Sequence, residues 1–260
     1  MALSPHGYPL AAAVSPRVHV VETIDSTNAK LLADAAGDPD GHPHLSLVLT
    51  RDQRAGRGRL DRTWTTPPGT ALAVSVLLRV SAVPAAMRGW IPLIAGAAMT
   101  RAVAAQLSGH DVALKWPNDV LVDGRKISGI LAEVLPSDPF AVVVGAGVNT
   151  AMTDADLPIT TATSFAALGR EADEDRLLAD FLTGLRDRIA ALAVAGGRSD
   201  AVHADIQELC ATVGSDVRVS LPDGTTLVGR ATGLDAEGRL LVRTADAETA
   251  VAAGDVVHVR

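Results

Sequence analysis

Four short polar segments hold the residue types from which chemistry is built. The first, Gln53-Arg54-Ala55-Gly56-Arg57-Gly58-Arg59, alternates glycine with arginine. Glycine lets a backbone approach a ligand and expose its amide N–H groups, and arginine adds a rigid fork of donors. Such a segment suits a carboxylate or a phosphate; a solvated basic loop is the plainer reading. It is no dinucleotide fingerprint, because Asp61 stands where a third glycine would fall, and no Walker loop, because Gly-Lys-Ser/Thr is missing. The second segment is Lys115-Trp116-Pro117-Asn118-Asp119, followed by Lys126-Ile127-Ser128-Gly129-Ile130-Leu131-Ala132-Glu133. A lysine on an apolar strand needs an anionic partner or a route to water. Lys126 is therefore an anion ligand or a snorkelling cation.

The third segment, Val142-Val143-Val144-Gly145-Ala146-Gly147-Val148-Asn149, puts two glycines on one side of an expected strand. Their missing side chains leave room for something flat or narrow, unless the pair marks a bulge. Asn149 then stands at the strand end. The fourth, Asp25-Ser26-Thr27-Asn28, reads as a helix cap or as a helix N-terminus offering hydroxyl and amide donors to a polar ligand head. Other chemistries lack support. The histidines are scattered, and His42 and His44 lie in a Pro-Gly loop without a second ligand pair. No Gly-x-Ser-x-Gly elbow occurs. The single cysteine, Cys210, cannot form an internal disulfide and is expected in a helical patch far from the polar motifs, as an inert apolar residue.

These segments need a frame to bring them together. Apolar runs predict strands over 17–23, 45–50, 71–80, 112–115, 119–122, 126–135 and 140–148. Helical spacing falls over 29–36, 84–107 and 173–194, and residues 51–63 read as a loop. The mixture implies an α+β, three-layered catalytic domain over 17–211, behind a loose N-terminal tail over 1–16. Composition changes near residue 213. Short alternating strands at 215–221, 225–232, 239–244 and 256–260, with turns at 222–224 and 235–238, predict a small β-barrel over 212–260.

The whole-chain figures agree with a small-molecule role. At 260 residues the chain has room for one large domain and a small one, and 48% hydrophobic residues supply a core without disulfides. Net charge is −7, from 23 cations and 30 acids, which argues against a general binder of nucleic acid or anionic membrane. Yet five arginines fall within residues 51–62, and two of only three lysines, Lys115 and Lys126, lie in the second segment. An acidic protein with concentrated cations is suited to a small anion. The apolar run at 10–14 is too short for a signal-peptide core or a membrane span, so a cytoplasmic protein is expected.

In this order, the four segments resemble those of the biotin protein ligases, from about residue 20 to the C-terminus. The matching residues are Asp25-Ser26-Thr27-Asn28; Gln53 with Ala55-Gly56-Arg57-Gly58-Arg59, Arg62 and Trp64; Lys115-Trp116-Pro117-Asn118-Asp119; Lys126 with Gly129-Ile130-Leu131; and Gly145-Ala146-Gly147-Val148-Asn149. The resemblance implies a mixed-sheet catalytic domain of the biotin/lipoate ligase type with an SH3-like C-terminal barrel. It implies ATP and biotin as substrates, Mg²⁺, and a biotin carboxyl carrier protein or domain as partner. Biotinyl-5′-AMP forms first, and biotin then passes to one carrier lysine. Ser26, Thr27, Asn28 and Gln53 would hold the ureido head. Gly56, Arg57, Gly58 and Arg59 would close over the intermediate beside Trp64, and Gly129, Ile130, Gly145 and Gly147 would line the slot. Arg59, Arg62, Lys115, Asn118, Asp119 and Asn149 would face the nucleotide. Lys126 would bridge the biotin carboxylate and the α-phosphate, with Arg59 as its catalytic companion; the resemblance gives no metal ligands.

Two departures stand out. Family members often carry a glycine where this chain has Asp61, and residues before 20 leave no room for a winged helix-turn-helix, so no operator binding is expected. A lipoate ligase or octanoyltransferase relative, or a non-catalytic anion-binding module, are the competing readings.

Overall fold

The computed structural model describes residues 7–60, 62–194 and 200–259; Asp61 lies outside them. After helix α1 (Pro9–Val14) the chain enters a seven-stranded sheet at β1 (Val18–Val20), crosses through α2 (Thr27–Gly37) and returns as β2 (Leu47–Thr50). A two-stranded ribbon, β3 (Gly56–Arg57) and β4 (Thr63–Trp64), stands outside the sheet before β5 (Ala71–Arg79). Helix α3 (Trp90–Ala104) leads to β6 (Val112–Lys115), β7 (Asp119–Val122), β8 (Arg125–Leu135) and β9 (Asp138–Asn149), then α4 (Glu174–Val194) and α5 (Asp200–Leu209). The spatial order is β1-β2-β5-β9-β8-β7-β6, antiparallel except for β1 beside β2.

Burial explains why these runs became these elements. The centre of the sheet is covered on both faces, so β5 and β9 carry continuous apolar stretches rather than alternation. On one face Leu31 and Ala35 of α2 pack on Val48, Leu77, Ala141 and Val143. Helices α3 and α4 cover the other face with the larger core, in which Phe165, Phe181, Ile91 and Met99 are fully buried. Helix α3 is apolar almost all round because it lies between the sheet and α4. Gly96 permits that approach: a Cβ there would lie 2.5 Å from Leu114 Cδ1.

Three expectations require correction. The N-terminal tail expected to be loose is, over residues 7–16, a packed segment. Its Leu10 and Ala11 amides donate to the Asp175 carboxylate at 3.0 and 2.9 Å, and the Tyr8 hydroxyl donates to Glu174 at 3.0 Å. Residues 56, 57 and 63, expected within a loop, pair with one another and with Trp64 in the β3–β4 ribbon. Cys210 is buried but not remote: it bridges Leu114, next to the second motif, and burial pushes its thiol pKa up.

The C-terminal unit is a five-stranded antiparallel sheet of β10 (Asp216–Ser220), β11 (Thr226–Leu234), β12 (Leu240–Arg243), β13 (Glu248–Val251) and β14 (Asp255–His258), in the order β13-β12-β11-β10-β14. Among the described residues β13 and β14 share no ladder, so the barrel expected from the sequence is an open sheet. Both expected turns are present, with Gly224 and Gly238 at φ of +83° and +81°, where a side chain would be strained. The second turn docks the sheet on the larger domain. Trp90 Nε1 donates to the Ala236 carbonyl at 2.9 Å and Trp116 Nε1 to the Gly238 carbonyl at 3.2 Å. Among the described residues no helix is long and apolar enough to cross a membrane.

Candidate active site

The register of the large sheet builds the floor of a slot. Ala73, Gly147, Gly129, Asp119 and Lys115 are successive cross-strand partners on β5, β9, β8, β7 and β6. Directly opposed residues hold their Cβ atoms close together, so small residues in one row leave a channel across the sheet. This channel begins among small residues and ends at a carboxylate and an ammonium. A neighbouring row, Ser75–Gly145–Leu131, lies beside it. What stands over the glycines shows why side chains are excluded: a Cβ on Gly145 would fall 2.3 Å from Asn28 Oδ1, and one on Gly147 2.6 Å from Trp64 Cζ2.

A polar cluster closes the end beneath α2. Ser26 is the helix cap, its hydroxyl accepting from Ala29 N at 3.3 Å, while Thr27 and Asn28 turn their buried side chains toward the sheet. The Thr27 amide and hydroxyl both donate to Gln53 Oε1, at 2.8 and 3.1 Å. Ser75 Oγ lies 2.8 Å from Thr27 Oγ1 and 2.5 Å from Asn28 Oδ1. Asn28 Nδ2 donates to Glu133 Oε2 at 2.7 Å and to the Leu131 carbonyl at 3.3 Å. The fourth segment is therefore both a cap and part of a site.

Cations gather at the other end. Lys126 Nζ lies 2.5 Å from Asp119 Oδ1. Arg59 donates to Asn118 Oδ1 at 3.1 Å and to the Gly254 carbonyl at 3.3 Å, and Arg62 pairs with Asp255. Arg57 pairs with Glu133 at 3.0 Å. Burial pushes the Lys115 ammonium below the usual lysine range, with the neighbouring Asp119 acting against it. An arriving anion would favour the charged form that burial disfavours.

Together these groups enclose a cavity of about 350 Å³. It is lined by Ser26, Thr27, Asn28, Gln53, Arg57, Gly58, Arg59, Arg62 and Trp64 from the first part of the chain. Lys115, Asn118, Asp119, Lys126, Gly129, Ile130, Gly145 and Gly147 complete it from the sheet. Two expected residues do not line it. Gly56 is part of the ribbon, buried against β4, where a Cβ would meet the Trp64 carbonyl at 2.3 Å. Asn149 turns away and donates to the Thr163 carbonyl at 2.9 Å, bracing the segment whose Thr161 and Thr163 bond the backbone of Lys126. Asn118 lines the wall, but its amide also donates to the Ile130 carbonyl at 2.6 Å, so it fixes Arg59 to β8. Sequence reasoning missed Ser75, Glu133 and Asp255. Ser75 had a signal, as the lone polar residue within Ala71–Arg79 before its last position; Asp255 had none, because only folding brings β14 to the cavity.

Among the described residues no group of three or more His, Cys, Asp or Glu could hold a metal ion. Magnesium bound with a nucleotide needs less, commonly one or two carboxylates beside the phosphates. Asp119 and Asp255, both on the cavity wall, are a donor set of that kind.

Fold and site thus define a class: proteins with a mixed sheet carrying one narrow slot that runs from a neutral polar pocket to a cluster of cations. Residues 20–149 match the biotin/lipoate A/B protein ligase family, and residues 212–259 match the biotin protein ligase C terminal domain. The biotin–[acetyl-CoA-carboxylase] ligase of Mycobacterium tuberculosis (strain ATCC 25618 / H37Rv) is 39% identical over 94% of this chain and 90% of its own. The bifunctional ligase/repressor BirA of Escherichia coli (strain K12) is 39% identical over 52% of this chain and 41% of its own. This chain belongs to the biotin protein ligase family. The biotin protein ligase from Aquifex aeolicus in complex with biotin and ATP has the same fold, with a TM-score of 0.77 at 22% identity, covering 94% of this chain and 99% of that one.

Proposed function

We propose that this chain is an ATP-dependent biotin–protein ligase, which forms biotinyl-5′-AMP and transfers biotin to a lysine of a biotin carboxyl carrier domain. The observation that carries this reading is the row Ala73–Gly147–Gly129–Asp119, a narrow floor joining the Thr27/Asn28/Gln53 pocket to Lys126. A bicyclic ureido head with an apolar acid tail has that order of chemistry: donors and acceptors first, methylenes next, a carboxylate last.

The two steps assign the residues. A biotin carboxylate oxygen attacks the α-phosphorus of ATP, the bond to the bridging oxygen breaks, and pyrophosphate leaves. Two anions must meet, so Lys126 and Arg59 would act by holding positive charge where it is needed in the transition state. Ser26, Thr27, Asn28 and Gln53 would orient the head, Trp64 would cover the ring over Gly147, and Lys115 and Arg62 would face the phosphates. Asp119, engaged by Lys126, and Asp255 would hold magnesium with the nucleotide, which would supply charge neutralisation for the departing polyphosphate. The carrier lysine amine then attacks the mixed-anhydride carbonyl and AMP departs. The catalytic unit is read as residues 17–211 and the smaller unit as 212–260, and a cytoplasmic setting goes with the ATP and carrier substrates.

The test is ATP-dependent transfer of labelled biotin to a carboxyl carrier domain. Label on the carrier that depends on ATP and on the acceptor lysine is expected. ATP–pyrophosphate exchange driven by lipoate and not by biotin would overturn the assignment.

A further inference from the structure

We infer that Glu133 is a positioning residue that sets the donor–acceptor polarity of the head pocket and ties the arginine–glycine ribbon to it. The inference rests on the ligase reading and gives a role to a residue that closes the second segment but was assigned none there. Glu133 lies on β8, one wall of the slot, with its side chain 23% exposed. Its Oε2 accepts from Asn28 Nδ2 at 2.7 Å, and both carboxylate oxygens lie 3.0 Å from Arg57 Nη2. One carboxylate therefore touches the buried cluster with one contact and the outer ribbon with another.

The consequence follows from counting protons. An ionised carboxylate only accepts, so Asn28 must turn its NH₂ toward Glu133. The second amide proton goes to the Leu131 carbonyl at 3.3 Å. Both Asn28 donors are thus used, and its Oδ1 faces the cluster as an acceptor, 2.5 Å from Ser75 Oγ. The single Ser75 proton is drawn to that oxygen. Gln53 Oε1 accepts the Thr27 backbone amide at 2.8 Å, so its orientation is fixed whichever way the Thr27 hydroxyl, within reach of both Ser75 and Gln53, turns its proton. Gln53 is left with its NH₂ as a free donor end. A ring with N–H donors and a carbonyl acceptor needs both kinds of group at fixed places: the chain Glu133–Asn28–Ser75 fixes one side from its charged end, and the Thr27 amide fixes Gln53 on the other. Because the same carboxylate holds Arg57, filling the head pocket and holding the ribbon become one event.

The experiment measures biotin affinity by calorimetry without ATP, KM for ATP in pyrophosphate exchange, and hydrogen exchange of residues 56–64. Folding of each variant is checked by thermal melting. The proteins are wild type, Glu133→Gln, Arg57→Ala, the double variant, and the exchanged pair Arg57→Glu with Glu133→Arg. Losing a charged hydrogen bond predicts biotin binding about ten-fold or more weaker in Glu133→Gln, with KM for ATP within about three-fold of wild type. The double variant should be no weaker than the worse single one, since both break one unit. In the exchanged pair the ribbon regains protection, because the ion pair is restored, yet biotin binding stays weak, because arginine donates to Asn28 and reverses its amide. Biotin affinity of Glu133→Gln within two-fold of wild type would overturn the proposal, as would full recovery of biotin affinity in the exchanged pair. Wild-type protein that binds no biotin would instead sink the ligase reading.

Discussion

Lys126 and Asp119 lie 2.5 Å apart at the end of the small-residue row, so the ammonium is held in place before any phosphate meets it. Removing it should act on the transition state more than on biotin itself. Lys126→Ala is expected to slow biotin-dependent pyrophosphate exchange by about 10²–10³-fold, while calorimetric biotin affinity falls far less. An exchange rate near wild type would remove Lys126 from the chemistry. The glycines act differently. In Gly147→Val the new side chain falls where Trp64 now stands, so KM for biotin should rise about ten-fold or more with KM for ATP nearly unchanged; the two constants rising together would refute this. Much of this was legible in the sequence because cations in an acidic, lysine-poor chain stand out, and Gly145 and Gly147 share a face by simple alternation. Glu133 was not, since an acid on a strand looks the same whether it meets a helix or water; Ser75 stood out only as the lone polar residue of an apolar strand.

Among the elements, strands and long helices read easily, and short elements did not. The expected strands over 112–115 and 119–122 coincide with β6 and β7, because β-branched residues run between clear turns. Helix α5 was foreseen only as a helical patch around Cys210, without bounds, because it buries only Val202 and Ile206, too few to set a period; β13 was missed because three of its four residues are exposed. The β3–β4 ribbon has two residues on each side and no apolar pattern at all. Helix α1 gives a test at this scale. Asp175 accepts from two α1 amides, so Asp175→Ala should cost about 1 kcal/mol and lower the melting temperature by roughly 2–4 °C, with biotin transfer kept; an unchanged melt would show that α1 contributes nothing there. The turn after α2 gives another. The Arg79 amide donates to His44 Nδ1 at 3.0 Å, which requires a neutral ring, and burial pushes the His44 pKa below the usual imidazole value. The unfolded chain then takes up the proton first as pH falls. This contribution is complete above about pH 6.5, declines below it, and levels off once the folded imidazole protonates. Urea midpoints taken from about pH 7.5 to about pH 5.5 should fall less steeply in His44→Asn than in wild type; equal slopes would exclude His44 as a contributor.

For the molecule as a whole, the smaller sheet is part of the site. Asp255, Val256 and Val257 line the cavity, and Trp90 and Trp116 fasten the 235–238 turn against the larger domain. Composition divides the chain near residue 212, but could not show that β14 reaches across to the arginines of the ribbon. Asp255→Asn should raise KM for ATP, because magnesium held with the nucleotide would lose a carboxylate ligand, and leave biotin affinity within about two-fold; a lowered KM for ATP would mean that Asp255 chiefly competes with phosphate for Arg62. The three pairs Arg57–Glu133, Arg62–Asp255 and Lys126–Asp119 share a further consequence. Three of the five cations lining the slot already have an acidic counterion beside them, so the cavity works more as an ion exchanger than as an open positive sink. A simple anion such as sulfate gains little by displacing one carboxylate, whereas a polyphosphate on a tethered acid can displace several in one binding event. Discrimination against the abundant small anions around the protein is thus built into the same acidic residues that make its overall charge negative.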